Sequence, residues 1–152
     1  MTKQLISLGL MSGTSGDGVD ASIIQSDGEA EYKTIYDNYF EYSQEIYEQI
    51  HELKEKINNS EQILLFKNEI DDLEKKITLF HAKVVSSAIK ESKQIIDLVG
   101  FHGQTIFHNA KEKISKQLGD PRLLFQLVNK KIVYNFRQND LANGGEGAPL
   151  SP

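Results

Sequence analysis

Ten residues, Met11 to Asp20 (Met-Ser-Gly-Thr-Ser-Gly-Asp-Gly-Val-Asp), concentrate the groups in this chain that could do chemistry. Gly13, Gly16 and Gly18 sit among two hydroxyl residues, Thr14 and Ser15, and two carboxylates, Asp17 and Asp20, with Val19 between the last two. Glycines allow positive φ and let backbone N–H groups approach a ligand. Bare N–H groups and small hydroxyls suit phosphate oxygens. Carboxylates suit a water-bound Mg²⁺ or a sugar hydroxyl. The run therefore predicts a hairpin that holds a nucleotide phosphate. Glycine, serine and aspartate are also ordinary turn formers, but a turn that only reverses the chain rarely uses so many. No Gly-Lys-Ser/Thr follows and the glycine spacing is wrong for a dinucleotide fingerprint, so neither familiar phosphate loop applies.

A second polar cluster is His102-Gly103-Gln104-Thr105, directly after the apolar run Asp97 to Phe101. That run reads as a buried strand, and the carboxyl end of such a strand is where ligands dock in α/β sheets. A third is the polar, glycine-rich stretch from Asn135 to Pro152, read as irregular.

These groups need elements to position them. Leu5 to Leu10 and Val19 to Ile24 flank the glycine loop as strands, and Tyr32 to Phe40 is a third after the Asp27-Gly28 turn. Together they predict an antiparallel meander. Ser43 caps a helix to about Ile57 with Ile46, Ile50, Leu53 and Ile57 on one face. Asn58-Asn59-Ser60 is a break, with Ser60 as the next cap. One long helix follows, its stripe Ile63, Phe66, Ile70, Leu73, Ile77, Phe80, Val84 and Ala88 spaced by threes and fours. The stripe reads as core-facing rather than as a coiled-coil seam, and its charged face as solvated. His81, within it, reads as structural or surface. Ile106 to Leu118 predicts a hairpin or irregular arm around Asn109-Ala110-Lys111. Asp120 caps a helix from Pro121 to about Asn129, and Lys131 to Tyr134 is a strand. The alternation of strands and helices indicates α/β.

Composition narrows the function classes. The 152 residues suffice for one domain with a core, and 39% hydrophobic with 26% charged residues is a soluble, globular balance. A net charge of −5 without a basic cluster argues against nucleic-acid binding. The chain has no cysteine, which removes disulfides and thiolate metal sites and fits a reducing, cytoplasmic setting. Neither a signal-peptide pattern nor an apolar run of membrane-spanning length occurs, so no membrane partner is expected.

Four segments together resemble the anhydro-N-acetylmuramic acid kinase family: Leu8 to Asp20, Gly100 to Ile106, Gln117-Leu118-Gly119-Asp120-Pro121, and Asn135 to Leu150. The resemblance implies an α/β fold of the actin-like, sugar-kinase (ribonuclease H-like) type, with a mixed sheet, an antiparallel hairpin and flanking helices. Residues 1–152 would form its N-terminal lobe. It implies ATP and Mg²⁺ as cofactors and 1,6-anhydro-N-acetylmuramic acid as substrate, opened by water and phosphorylated to N-acetylmuramic acid 6-phosphate in bacterial cell-wall recycling. By this resemblance Gly13, Thr14, Ser15, Gly16, Asp17, Gly18, Val19 and Asp20 bind ATP. His102, Gln104, Thr105, Arg137 and Asp140 line the sugar pocket, Asp140 either positioning Arg137 or capping the next loop.

The chain departs from the family at three positions: Gly16 where leucine is usual, Asn135 where aspartate is usual, and Glu146 where glutamine is usual. The change at 16 is expected to loosen the hairpin. The family's Asp-Thr-Gly-Pro-Gly-Asn segment, whose aspartate is the general base, does not occur among these residues. The expectation is therefore an incomplete fold, inactive until a second-lobe polypeptide completes it. The alternative is a non-catalytic remnant lobe that binds a ligand or partner.

Overall fold

The computed structural model describes residues 3–148. Pro149 and Leu150 of the fourth family-like segment lie outside them, as do Met1, Thr2, Ser151 and Pro152.

A six-stranded mixed sheet forms the centre, in the order β3-β2-β1-β4-β5 with β6 beside β4. β1 (Leu5–Ser12), β2 (Gly18–Ser26) and β3 (Tyr32–Glu41) form the expected antiparallel meander. β4 (Leu98–Asn109) lies parallel to β1 and to β6 (Lys131–Tyr134), and antiparallel to β5 (Ile114–Leu118). The parallel return from the meander to β4 requires a long crossover. α1 (Gln44–Lys56), α2 (Ser60–Leu65) and α3 (Lys67–Ser92) supply it.

Side-chain alternation along the strands decides which face these helices cover. Leu8, Leu10, Val19, Ala21, Ile23, Val99 and Phe101 are buried beneath them, against Ile46, Ile50, Leu53, Leu73, Ile77 and Val84. The intervening residues, among them Gly9, Met11, Asp20 and Gly100, face the other way and stay partly or fully exposed. Ser43 caps α1, its hydroxyl accepting from Ile46 N. Asp120 caps α4 (Pro121–Val128) through Arg122 N and Leu123 N.

The structure corrects four expectations. The long apolar stripe runs through two helices, broken at Phe66, which ends α2 and precedes α3. Periodicity cannot see this break, because Ile63 and Phe66 keep their inward direction across it. The cap of α2 is Asn59, not Ser60; Asn59 and Gln62 form a reciprocal capping box. The stretch after Tyr134 is not wholly irregular, since α5 (Phe136–Ala142) forms there. Its side chains are mostly polar and it buries only Leu141 among them, so no apolar period marks it, although Asn135 stands at its N-cap and Gly144, at φ +91°, just past its C-cap. Finally, His102 to Thr105 lies inside β4 rather than at its end.

That last correction has a specific cause. Leu10 pairs with Phe101 and Ser12 with Gln104, so two steps on β1 match three on β4. The extra residue makes a β-bulge, and Gly103 within it takes φ +75°. A Cβ on Gly103 would sit 2.4 Å from Leu118 O. The bulge shifts the alternation by one: Val99 and Phe101 face the helices before it, Ile106 after it.

Candidate active site

Two clusters of polar groups lie near the carboxyl end of β1, one in the β1–β2 turn and one around the bulge inside β4. The first is the β1–β2 turn. Gly16 N donates to Gly13 O at 3.2 Å, closing a turn with Thr14 and Ser15 at its tip. Gly16 has φ +69°, and a Cβ there would meet Ile50 Cγ2 at 2.9 Å. The turn is therefore seated tightly on α1, and the loosening expected from glycine at 16 is not what the packing displays.

Protein donors take up the turn's carbonyl oxygens. Gly13 O also accepts from Gln104 Nε2 at 2.9 Å, Asp17 O accepts from Tyr42 N at 2.9 Å, and Thr14 O accepts from Lys54 Nζ. Among the described residues, no protein acceptor pairs with the backbone N–H of Thr14 or Ser15, while the Asp17 N–H is turned toward its own carboxylate. A turn with three carbonyls engaged and the N–H groups of its tip free has the donor pattern of an anion-binding concavity. The Asp17 carboxylate accepts from Ser15 Oγ at 2.7 Å, and this bond foremost, helped by its own backbone N–H and then by Tyr39, holds its pKa below the usual carboxylate value. Gly18 leaves the space that Tyr39 needs, for a Cβ there would lie 2.5 Å from the Tyr39 hydroxyl. Val19 is core and Asp20 is exposed on the open sheet face, so the ATP-binding run predicted from sequence divides into a turn and a strand.

Beneath the turn, β1 is anchored by a buried chain of hydrogen bonds. Ser12 Oγ lies 3.0 Å from the Tyr42 hydroxyl and 3.4 Å from His81 Nε2. His81 Nδ1 lies 2.8 Å from Ile77 O and must be the protonated nitrogen, because a carbonyl only accepts. Burial depresses the His81 pKa to about 4 and pushes the Tyr42 phenol up, so both stay neutral. His81 is structural and fully buried, not on the surface.

The second cluster joins β4 to α5. Arg137 Nε donates to His102 Nε2 at 2.7 Å and Arg137 Nη1 to Gly147 O at 2.9 Å. Because arginine only donates, His102 carries its proton on Nδ1 and gives it to Gly103 O at 2.6 Å. Burial, with the Arg137 charge adding to it, lowers the His102 pKa below its ordinary value. Asp140 accepts from Gly147 N at 2.8 Å, which selects loop capping over contact with Arg137. His102 borders two cavities. One of about 420 Å³ lies over Gly9, Met11, Asp20, Gly100 and Phe136, and one of about 190 Å³ lies beside Gln117 and Asn135.

The structure thus brings His102 and Arg137 together, with Asp140 one bond removed. Gln104 is placed elsewhere: it is fully buried on the helix side, under the phosphate-type turn. Thr105 is buried and accepts from Gln117 Nε2 at 3.2 Å. Reading the sequence overlooked Tyr39, Tyr42, Lys54 and Phe136. The pairing of Tyr39 with Asp20 in antiparallel register was the one signal able to find the first.

As to ligands, the free N–H groups fit phosphate oxygens. Asp17 and Asp20, both exposed, fit the one or two carboxylates that a phosphate-bound Mg²⁺ takes. No group of three or more metal-ligating side chains occurs among the described residues. No described helix is long and apolar enough to cross a membrane.

A six-stranded mixed sheet with flanking helices and a glycine hairpin between its first two strands is an α/β lobe of the actin-like sugar-kinase class. The particular family follows from comparison. Residues 5–152 match the family model described as anhydro-N-acetylmuramic acid kinase. The chain is 59% identical over 152 residues to the anhydro-N-acetylmuramic acid kinase of Pelagibacter ubique, covering 100% of this chain and 40% of that protein. It is 35% identical over 152 residues to that of Agrobacterium fabrum and 39% over 147 residues to that of Gluconobacter oxydans, each alignment covering 95% of this chain and 40% of the relative. The chain belongs to the anhydro-N-acetylmuramic acid kinase family. It spans about 40% of the length of these relatives.

Proposed function

We propose that this chain supplies the ATP-phosphate hairpin and one wall of the sugar pocket for the cytoplasmic opening and phosphorylation of 1,6-anhydro-N-acetylmuramic acid. The observation that carries the reading is the β1–β2 turn, with three carbonyl oxygens engaged by Gln104, Lys54 and Tyr42 and the N–H groups of Thr14 and Ser15 free. Donors fixed in advance stabilise charge on a transferring phosphoryl group without reorganising during the reaction. In the reaction, water oxygen bonds to the anomeric carbon, the bond from that carbon to O6 breaks, and O6 takes the γ-phosphoryl group from ATP. The products are N-acetylmuramic acid 6-phosphate, ADP and a proton. Mg²⁺, when bound, neutralises phosphate charge. Asp17 and Asp20 are the residues to hold its water shell.

At the other wall, Arg137 has guanidinium N–H groups beyond those given to His102 and Gly147. Its fork suits the lactyl carboxylate of the sugar. His102 holds that fork in place through its neutral Nε2. Glu146, exposed on the adjoining loop, adds negative charge near this anion and weakens its binding.

No carboxylate among the described residues is placed as the base for the attacking water in this reading; that group belongs to the remaining 60% of the family's length. A water nucleophile without a positioned base loses about 10²–10⁴ in rate. The 152 residues alone therefore bind ligands but do not turn them over. The test is transfer of label from γ-labelled ATP to the anhydro sugar, by the chain alone and after adding the remaining portion of a relative. Label only in the completed mixture is expected; label from the chain alone refutes the division of labour, and label from neither refutes the kinase reading.

A further inference from the structure

We propose that Gln104 is a positioning residue for the phosphate hairpin rather than a reader of the sugar. This rests on the proposed function for the identity of the two ligands, but the placement of Gln104 is independent of it. Simple alternation along β4 would send positions 102 and 104 to the same face of the sheet. The bulge at Gly103 separates them: His102 meets Arg137 and the open cavities, whereas Gln104 is fully buried on the helix side. There its Nε2 spans to Gly13 O at 2.9 Å and to Thr105 O at 3.2 Å.

Two carbonyl partners fix which end of the amide faces the turn. An inverted amide would set oxygen against oxygen. The remaining atom, Gln104 Oε1, is buried without a protein partner among the described residues, as is His51 Nε2, which like Gln104 Nε2 lies close to Gly16. What the residue achieves is placement: it ties the first carbonyl of the turn to β4, opposite Lys54, which ties the second from α1. With both carbonyls drawn inward, the peptide N–H groups at the tip face outward. The bulge thus splits one short polar run, His102-Gly103-Gln104, between the two ligands: His102 serves the sugar wall and Gln104 the phosphate turn.

The test uses the 152-residue chain, ¹⁵N-labelled, as wild type, Gln104→Met and Gln104→Glu. Gln104→Met keeps length and buries no charge. We expect the ligand-free amide signals of Thr14, Ser15 and Asp17 to shift or split in Gln104→Met. Affinity for Mg·ATP should fall about tenfold or more, as for loss of a buried hydrogen bond, while affinity for the anhydro sugar stays within about twofold. Gln104→Glu should show the same defect at pH 8 and recover partly at pH 5, where a protonated carboxyl again donates to Gly13 O. Loss of sugar affinity with Mg·ATP affinity kept, or unmoved hairpin amides, overturns the inference. Absence of Mg·ATP binding by the wild type counts against the proposed function instead, and the ligand-free amides still decide the role of Gln104. Should neither variant fold, the wild-type side-chain NH₂ of Gln104 decides: slow hydrogen exchange and a shift with Mg·ATP support the placement, and rapid exchange overturns it.

Discussion

The two polar clusters treat hydrogen-bond capacity in opposite ways. In the β1–β2 turn the protein engages the acceptors and leaves donors over. In the β4–α5 cluster the richest donor, Arg137, is spent on His102 and Gly147. The first arrangement is ready for an anion before one arrives. The second is closed on itself, so a ligand there must compete with protein acceptors or use the N–H groups left free. Anchoring follows the same division. The turn rests on α1, α3 and β4 through Gly16, Ser12 and Gln104. The second cluster hangs on a short helix with one buried side chain and a glycine loop.

The largest effect that tests this contrast is acid. His81 is neutral and fully buried under the turn, with a pKa of about 4 in the folded chain against 6.5 for a free imidazole. A depressed folded pKa means the stability is complete above pH 6.5 and is lost as pH falls toward 4, because the unfolded chain takes up the proton first. The loss amounts to roughly 3 kcal/mol across that window. Urea unfolding at a series of pH values measures it. His81→Leu should flatten the slope; an unchanged slope removes His81 from the anchor. His102 is also held below its ordinary pKa, by burial foremost. Acid therefore releases Arg137 over part of the same range, which Arg137 Nε–H signals report.

Gly16→Ala comes next. It forces an alanine to φ +69° and its Cβ to within 2.9 Å of Ile50 Cγ2, a cost of about 2 kcal/mol. The urea midpoint should fall and Mg·ATP affinity should fall with it. Arg137→Ala has a smaller and differently directed effect. Sugar affinity is expected to drop about tenfold, with Mg·ATP affinity and the hairpin amides unchanged. A shared loss would show that the clusters are one unit. Smallest of all is Lys76→Ala. Lys76 bridges Glu45 and Asp72 on the helix surface, where exposed ion pairs count for little, and the melting temperature should not move measurably.

How far the residues themselves announced this arrangement varies by region. The meander, the Ser43 and Asp120 caps and the glycine hairpin all rest on local rules of turn chemistry and period, and each could be read from a few neighbouring residues. The split of His102 from Gln104 could not. It depends on one extra residue in β4 and on the space beside Leu118 O that only glycine fits, a constraint imposed by β5 from fifteen positions away (103 to 118). The Ser12–Tyr42–His81 chain joins β1, α3 and the connection between β3 and α1, and leaves no local trace. α5 was hidden because it is seven residues long and buries one side chain, Leu141, too little for a helical period to show.

The most direct test of the central claim is a titration of the ¹⁵N-labelled chain with Mg·ATP, followed by amide spectra. Saturable shifts centred on Thr14, Ser15 and Asp17 are expected, with the Arg137 and Gly147 signals little changed. Shifts centred on any other surface, or none at millimolar nucleotide, would contradict it.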